Sequence, residues 1–209
     1  MIRHIIWDAD GTLFDTYPSF SKSFQLAIRD LGHEVPLDWI SQQARISLDV
    51  CVKALAERCQ LSEDTIGEKF KVHYSSIKPQ DQPPFEGVIE ICKFIISTGG
   101  KNLIVTHRRS AGLIRLLNTF DMRQYFSGWM TADDNYRRKP DPEAFLVTLD
   151  NHKLNPTETL AVGDRDIDIL AGQAAGLPAC LFGDPISTCQ PDLVFQDFKQ
   201  LLAWIKSSR

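Results

Sequence analysis

Short apolar runs recur along this chain, and each ends at an acid, a threonine or a glycine–acid pair. Ile2–Trp7 runs into Asp8, Asn102–Val105 into Thr106, and Thr159–Val162 into Gly163-Asp164. Runs of this length, rich in β-branched residues and without strict alternation, predict strands buried on both faces. Pro178–Phe182 is a further run of this kind, and Gly128–Thr131 a weaker one. Helical patterns lie between them, at Val88–Ser97, Ser110–Thr119, Glu143–Asn151 and Asp166–Ala175. Asp141 is the expected N-cap of the Glu143 helix, with Pro142 at its first position. Strands alternating with helices predict an α/β fold: a doubly wound parallel sheet covered on both faces.

One segment breaks the rhythm. Tyr17–Ile77 holds no convincing strand and reads as helices over Tyr17–Leu31, Leu37–Gln43, Leu48–Cys59 and Glu63–Ile77. Thr16 and Ser62 are the expected N-caps of the first and last. The proline-rich KPQDQPPF at Lys78–Phe85 then ends helix formation. The expected organisation is an α/β core over 1–15 and 80–209, with a helical cap inserted at 16–79.

Composition narrows the function classes. A net charge of −4 gives no general attraction for nucleic acid or an anionic membrane. No segment has the roughly 20 apolar residues that cross a bilayer. The N-terminal apolar run is too short for a signal peptide and ends in acids. Five cysteines without a CxxC pair argue against a disulfide framework or a thiolate zinc site, and fit a cytoplasmic protein.

The parallel-sheet reading has a chemical consequence. Ligands of open parallel sheets bind beyond the carboxyl ends of the strands. Asp8 and Asp10 lie past the first strand, Thr106 past the second, and Asp164 and Asp168 past the TLAV strand. Lys139 lies between GWMT and the Glu143 helix. Separate segments would therefore gather carboxylates at one sheet edge. Two such charges at 4 Å repel by about 1 kcal/mol in water and about 4 at an effective dielectric of 20. A divalent cation removes that cost, and hard oxygen ligands without cysteine or histidine suit Mg²⁺. The ion, Lys139 and the Thr106 hydroxyl would then attract a phosphoryl group.

WDADGT, LIVTH, RRKPDP and VGDRDID, in this order, resemble the four motifs of the haloacid dehalogenase superfamily. The resemblance spans nearly the whole chain and is closest to capped small-molecule phosphatases of the phosphoglycolate phosphatase and β-phosphoglucomutase type. It implies that Asp8 attacks phosphorus and becomes an aspartyl-phosphate. Asp10 would protonate the leaving oxygen and then take a proton from water. Mg²⁺ would be held by Asp8, the Asp10 backbone carbonyl and Asp164. Thr106 and Lys139 would hold the phosphoryl group, and Asp168 would orient Lys139. The dehalogenases of this fold lack the second acid, so Asp10 favours a phosphoryl substrate.

Other residues carry a milder expectation. Tyr17, Phe20, Arg45 and Lys53 are the insert's candidates for substrate contact, with Arg45 suited to a second anionic group. Asp15 reads as a helix-capping or linker residue, Asp166 as the N-cap of its helix with the metal's water shell as the alternative, and Trp7 as core. Arg108 or Arg109 could reach an anionic substrate, but both read first as a solvated first turn, and Arg137 and Arg138 as surface charge. His107 has no partner at metal-ligand spacing. The partner implied is a small phosphorylated metabolite, phosphoglycolate first. A sugar-phosphate mutase and a non-catalytic phosphate-binding module are the alternatives, and both monomer and homodimer remain open.

Overall fold

Strand faces decide the architecture. The computed structural model describes residues 1–185 and 188–207. Its sheet has six strands, β1 (His4–Trp7), β2 (Asn102–Val105), β3 (Phe126–Met130), β4 (Thr159–Gly163), β5 (Ala179–Phe182) and β6 (Leu193–Phe195). They lie in the order β3-β2-β1-β4-β5-β6, and every pairing is parallel. Side chains alternate across a strand, so neighbouring residues enter different layers. Ile5, Trp7, Ile104, Leu160 and Val162 join one apolar layer, with Val88, Ile91 and Ile95 of α5 (Val88–Ser97) and Leu113 and Leu117 of α6 (Ser110–Thr119). Ile6, Leu103, Val105 and Ala161 join the other, with Phe145 and Leu149 of α7 (Glu143–His152) and Ile169 of α8 (Asp166–Ala174). Filling both layers takes apolar residues at successive strand positions, which is why the runs do not alternate in sequence.

The chain separates into two compact units, 1–14 with 84–209 and 15–83. The second is all helix apart from its turns: α1 (Tyr17–Asp30), α2 (Leu37–Ile46), α3 (Leu48–Cys59) and α4 (Glu63–Ser75). Its core joins Phe24, Ile28, Ile40, Leu55 and Ile66. Phe24 stacks on Phe70 with centroids 4.1 Å apart, and Phe70 stacks on Tyr74 at 5.4 Å. Among the described residues no helix is long and apolar enough to cross a membrane.

Several local expectations are corrected. Thr16 makes no capping hydrogen bond, whereas Ser62 accepts from the Thr65 N–H as expected. Pro142 occupies the N-cap position of α7; Asp141 still serves it, accepting the Glu143 N–H through Oδ1 at 3.0 Å. Arg165, not Asp166, is the N-cap residue of α8. Sequence patterning also passes over β6 and α9 (Phe198–Ser207). A three-residue strand is too short to show a period. Helix α9 places Phe198, Leu201 and Ile205 in the first apolar layer.

Candidate active site

The carboxyl ends of β1, β2 and β4 converge because these strands are adjacent. Asp8 follows β1 directly, and its N–H donates to the Val162 carbonyl at 2.8 Å. Thr106 follows β2 and donates its N–H to the Met130 carbonyl at 3.0 Å. Between these ends lies the Lys139 ammonium. It donates to Asp8 Oδ1 at 2.6 Å and to the Val105 carbonyl at 3.0 Å, and pairs with Asp168 Oδ1 at 2.6 Å. All three charged side chains are buried. Asp168 turns back to accept the Arg165 N–H through Oδ2 at 3.2 Å. Gly163 permits this approach, since a Cβ there would lie 2.2 Å from that of Asp168.

Two buried carboxylates share one buried ammonium, so these three groups carry one net negative charge, which the half-buried Arg165 offsets only from outside the cluster. Burial pushes the Asp8 carboxyl up to about 6, against the pull of Lys139 and with the help of the Asp168 charge. Burial works in the same direction on Asp168, but Lys139 and Arg165 outweigh it and hold that carboxyl below its usual range. The Lys139 ammonium is raised: burial opposes its charge, and the two carboxylates more than offset that.

The residues fit a hard divalent cation. Asp8 Oδ2 is buried without a hydrogen-bond partner, a costly state for a carboxylate oxygen. Asp8, Asp164 and Asp168 each offer a carboxylate oxygen within 4.8 Å of the others. Asp164 is half-buried, and its Oδ1 accepts from the Thr12 hydroxyl at 3.2 Å. An all-oxygen set with surplus negative charge suits Mg²⁺.

Asp10 lies at the edge of this group. Arg108 holds it, with Nε at 3.1 Å from each carboxylate oxygen and Nη2 bonded to Oδ1. The expectation of a solvated Arg108 is therefore wrong: only 10% of its side chain is exposed. Sequence gives the charge of an arginine but not the direction it takes, and the partner lies in another motif, beyond the end of the neighbouring strand. Arg109, Arg137 and Arg138 are exposed, as expected.

His107 has a partner that spacing could not reveal. Its Nε2 accepts the Lys139 backbone N–H at 3.0 Å. Burial, followed by Lys139, Arg138 and Arg165, pushes this imidazole down to about 3, so the ring is neutral at pH 7. Asp166 accepts the Ile167 N–H at 2.8 Å and the Thr188 hydroxyl at 2.8 Å. In the helical unit, the exposed Arg45 lies over the Tyr17 ring, 5.2 Å from its centroid. Tyr17 and Phe20 are buried, and Lys53 is exposed. Burial raises the Asp15 carboxyl, with Arg45 opposing.

The profile of haloacid dehalogenase-like hydrolases matches residues 5–182. The chain belongs to that family. A phosphoglycolate phosphatase from Aliivibrio fischeri is 31% identical over 223 aligned positions, covering 100% of this chain and 98% of the relative. Two provisionally named solved structures share the fold. A phosphoglycolate phosphatase from Haemophilus somnus has a TM-score of 0.83 at 22% identity, covering 100% of this chain and 98% of its own. A β-phosphoglucomutase from Thermotoga maritima has a TM-score of 0.81 at 18% identity, covering 100% of both chains. The protein is thus an enzyme, a family hydrolase whose curated relatives are phosphatases.

Proposed function

We propose that this hydrolase is a Mg²⁺-dependent phosphatase of small phosphomonoesters, acting through an aspartyl-phosphate on Asp8. The observation that carries this reading is the buried Asp8 carboxylate, with Oδ1 on Lys139 and Oδ2 without a partner. Asp8, the Asp10 carbonyl and Asp164 would hold Mg²⁺. When bound, the ion would supply the missing positive charge, offsetting the phosphate's own and keeping Asp8 ionised.

In the first step an Asp8 oxygen bonds to phosphorus while the phosphorus–alcohol bond breaks. Asp10 gives its proton to the departing oxygen. In the second, water bonds to the same phosphorus, the Asp8–phosphorus bond breaks, and Asp10 receives a proton from the water. Covalent catalysis thus divides one hard displacement into two. Lys139 and Thr106 orient the phosphoryl group, Asp168 and His107 hold Lys139, and Arg45 is assigned to substrate binding. Phosphoglycolate is the first candidate substrate, supported by the names of the curated relatives.

Phosphate release from a panel of small phosphomonoesters tests this, with and without Mg²⁺ and with wild type beside Asp8→Asn. Release that needs both the ion and Asp8 is expected. Equal release by Asp8→Asn would refute the chemistry, and turnover only with a bisphosphosugar would identify a mutase.

A further inference from the structure

The reaction requires the Asp10 carboxyl to meet the departing oxygen, but Arg108 already occupies that carboxyl. Both of its oxygens face guanidinium N–H groups. The Arg108 backbone is fixed on either side: its N–H donates to Thr106 Oγ1 at 3.1 Å, and its carbonyl accepts from the Ala132 N–H at 3.0 Å. Release therefore has to come from the side chain. Its stem runs past Gly112, where a Cβ would lie 3.3 Å from Nη1 and 3.5 Å from Cγ. With 10% and 24% of the two side chains exposed, the pair is shielded enough to persist yet open to a competing anion.

We propose that Arg108 is a substrate-released latch on Asp10, and that it makes the enzyme selective for phosphomonoesters whose alcohol carries a second oxyanion. This deepens the reading of Asp10 as the group that serves the leaving oxygen. An arginine stays charged at any working pH, so a guanidinium leaving Asp10 needs another anion. A carboxylate or second phosphate on the alcohol supplies one, in the forked geometry that guanidinium prefers. A neutral alcohol does not, and Asp10 remains held. Because Arg108 bonds to Asp10, it is within reach of the alcohol that Asp10 serves. Arg109 is a poorer candidate, being 85% exposed and 4.0 Å from Asp133.

The test compares 2-phosphoglycolate with ethyl phosphate, which replaces the carboxylate by a methyl group, in wild type and Arg108→Gln. The latch predicts opposite changes. For phosphoglycolate, kcat/KM falls by about 10- to 100-fold, the range for losing a charged hydrogen-bond partner. For ethyl phosphate it rises by about threefold or more, because a partly exposed ion pair no longer has to open. Arg108→Lys, which keeps the charge but loses the fork, is expected to give an intermediate ratio. A parallel fall for both esters would overturn the latch and make Arg108 a support of the site. So would unchanged values. If Arg108→Gln does not fold, wild type must still prefer phosphoglycolate by about tenfold or more, and equal rates would overturn the proposal. A wild type inactive on both esters overturns the latch; only release from the whole monoester panel no greater than that of Asp8→Asn refutes the phosphatase reading as well.

Discussion

The two units handle charge in opposite ways. The α/β unit buries Asp8, Asp168 and Lys139 against one another and leaves Asp8 Oδ2 without a partner. The helical unit buries Phe24, Ile28, Ile40 and Leu55 completely, while its His73–Asp30 and Arg29–Glu34 pairs lie toward solvent. A core that needed only stability would resemble the second, because apolar packing stabilises without desolvating charge. Incomplete neutralisation in the first indicates a site arranged for a ligand that brings the missing charge.

Substitutions can break this comparison. The largest effect on turnover is expected from Asp8→Asn: phosphate release falls by about a thousandfold or more, because the nucleophile is lost. Its Tm should equal or exceed that of wild type in Mg²⁺-free buffer, since a raised, buried carboxyl is replaced by a neutral group. A clearly lower Tm would mean that the Asp8 charge supports the fold. Lys139→Met should lose both turnover and stability, leaving two buried carboxylates without their cation at a cost of about 3–5 kcal/mol in denaturant unfolding.

Phe24→Ala probes the other unit. Loss of a fully buried ring stacked on Phe70 should cost about 3–5 kcal/mol in unfolding of the helical unit. Mg²⁺ affinity measured calorimetrically should not change, because every assigned ligand is in the α/β unit. The last effect concerns acid sensitivity. His107 is depressed to about 3 in the folded protein, against 6.5 as its ordinary value. The unfolded chain therefore binds the extra proton between these values. The stability this contributes is complete above about 6.5 and is lost as pH falls toward 3. His107→Gln should flatten the decline of Tm between pH 6.5 and 4, and an unchanged slope would show that the ring is not held neutral.

Much of the site is legible in the amino-acid sequence, for reasons visible in single residues. Asp8, Thr106 and Asp164 each follow an apolar run, and a parallel sheet must bring such positions together. Lys139 has no such signal from its strand and is legible only through motif order. Arg108 escapes because its role depends on where a long side chain goes, and His107 because its partner is a backbone N–H across the fold. Strand β6 escapes because three residues show no period, and helix α9 is lost with it. The Asp141 cap is right in chemistry and displaced by one position, the ordinary uncertainty of helix ends.

The most direct test of the central claim is to trap the phosphoryl group. Wild type turning over its best monoester with Mg²⁺ would be quenched in acid and reduced with borohydride, which converts an acyl phosphate to an alcohol. Peptide mass spectrometry would then locate the change. Nucleophilic attack by Asp8 predicts homoserine at position 8, dependent on substrate and absent when Mg²⁺ is withheld. Steady phosphate release with an unmodified Asp8, or reduction at another carboxylate, would contradict it.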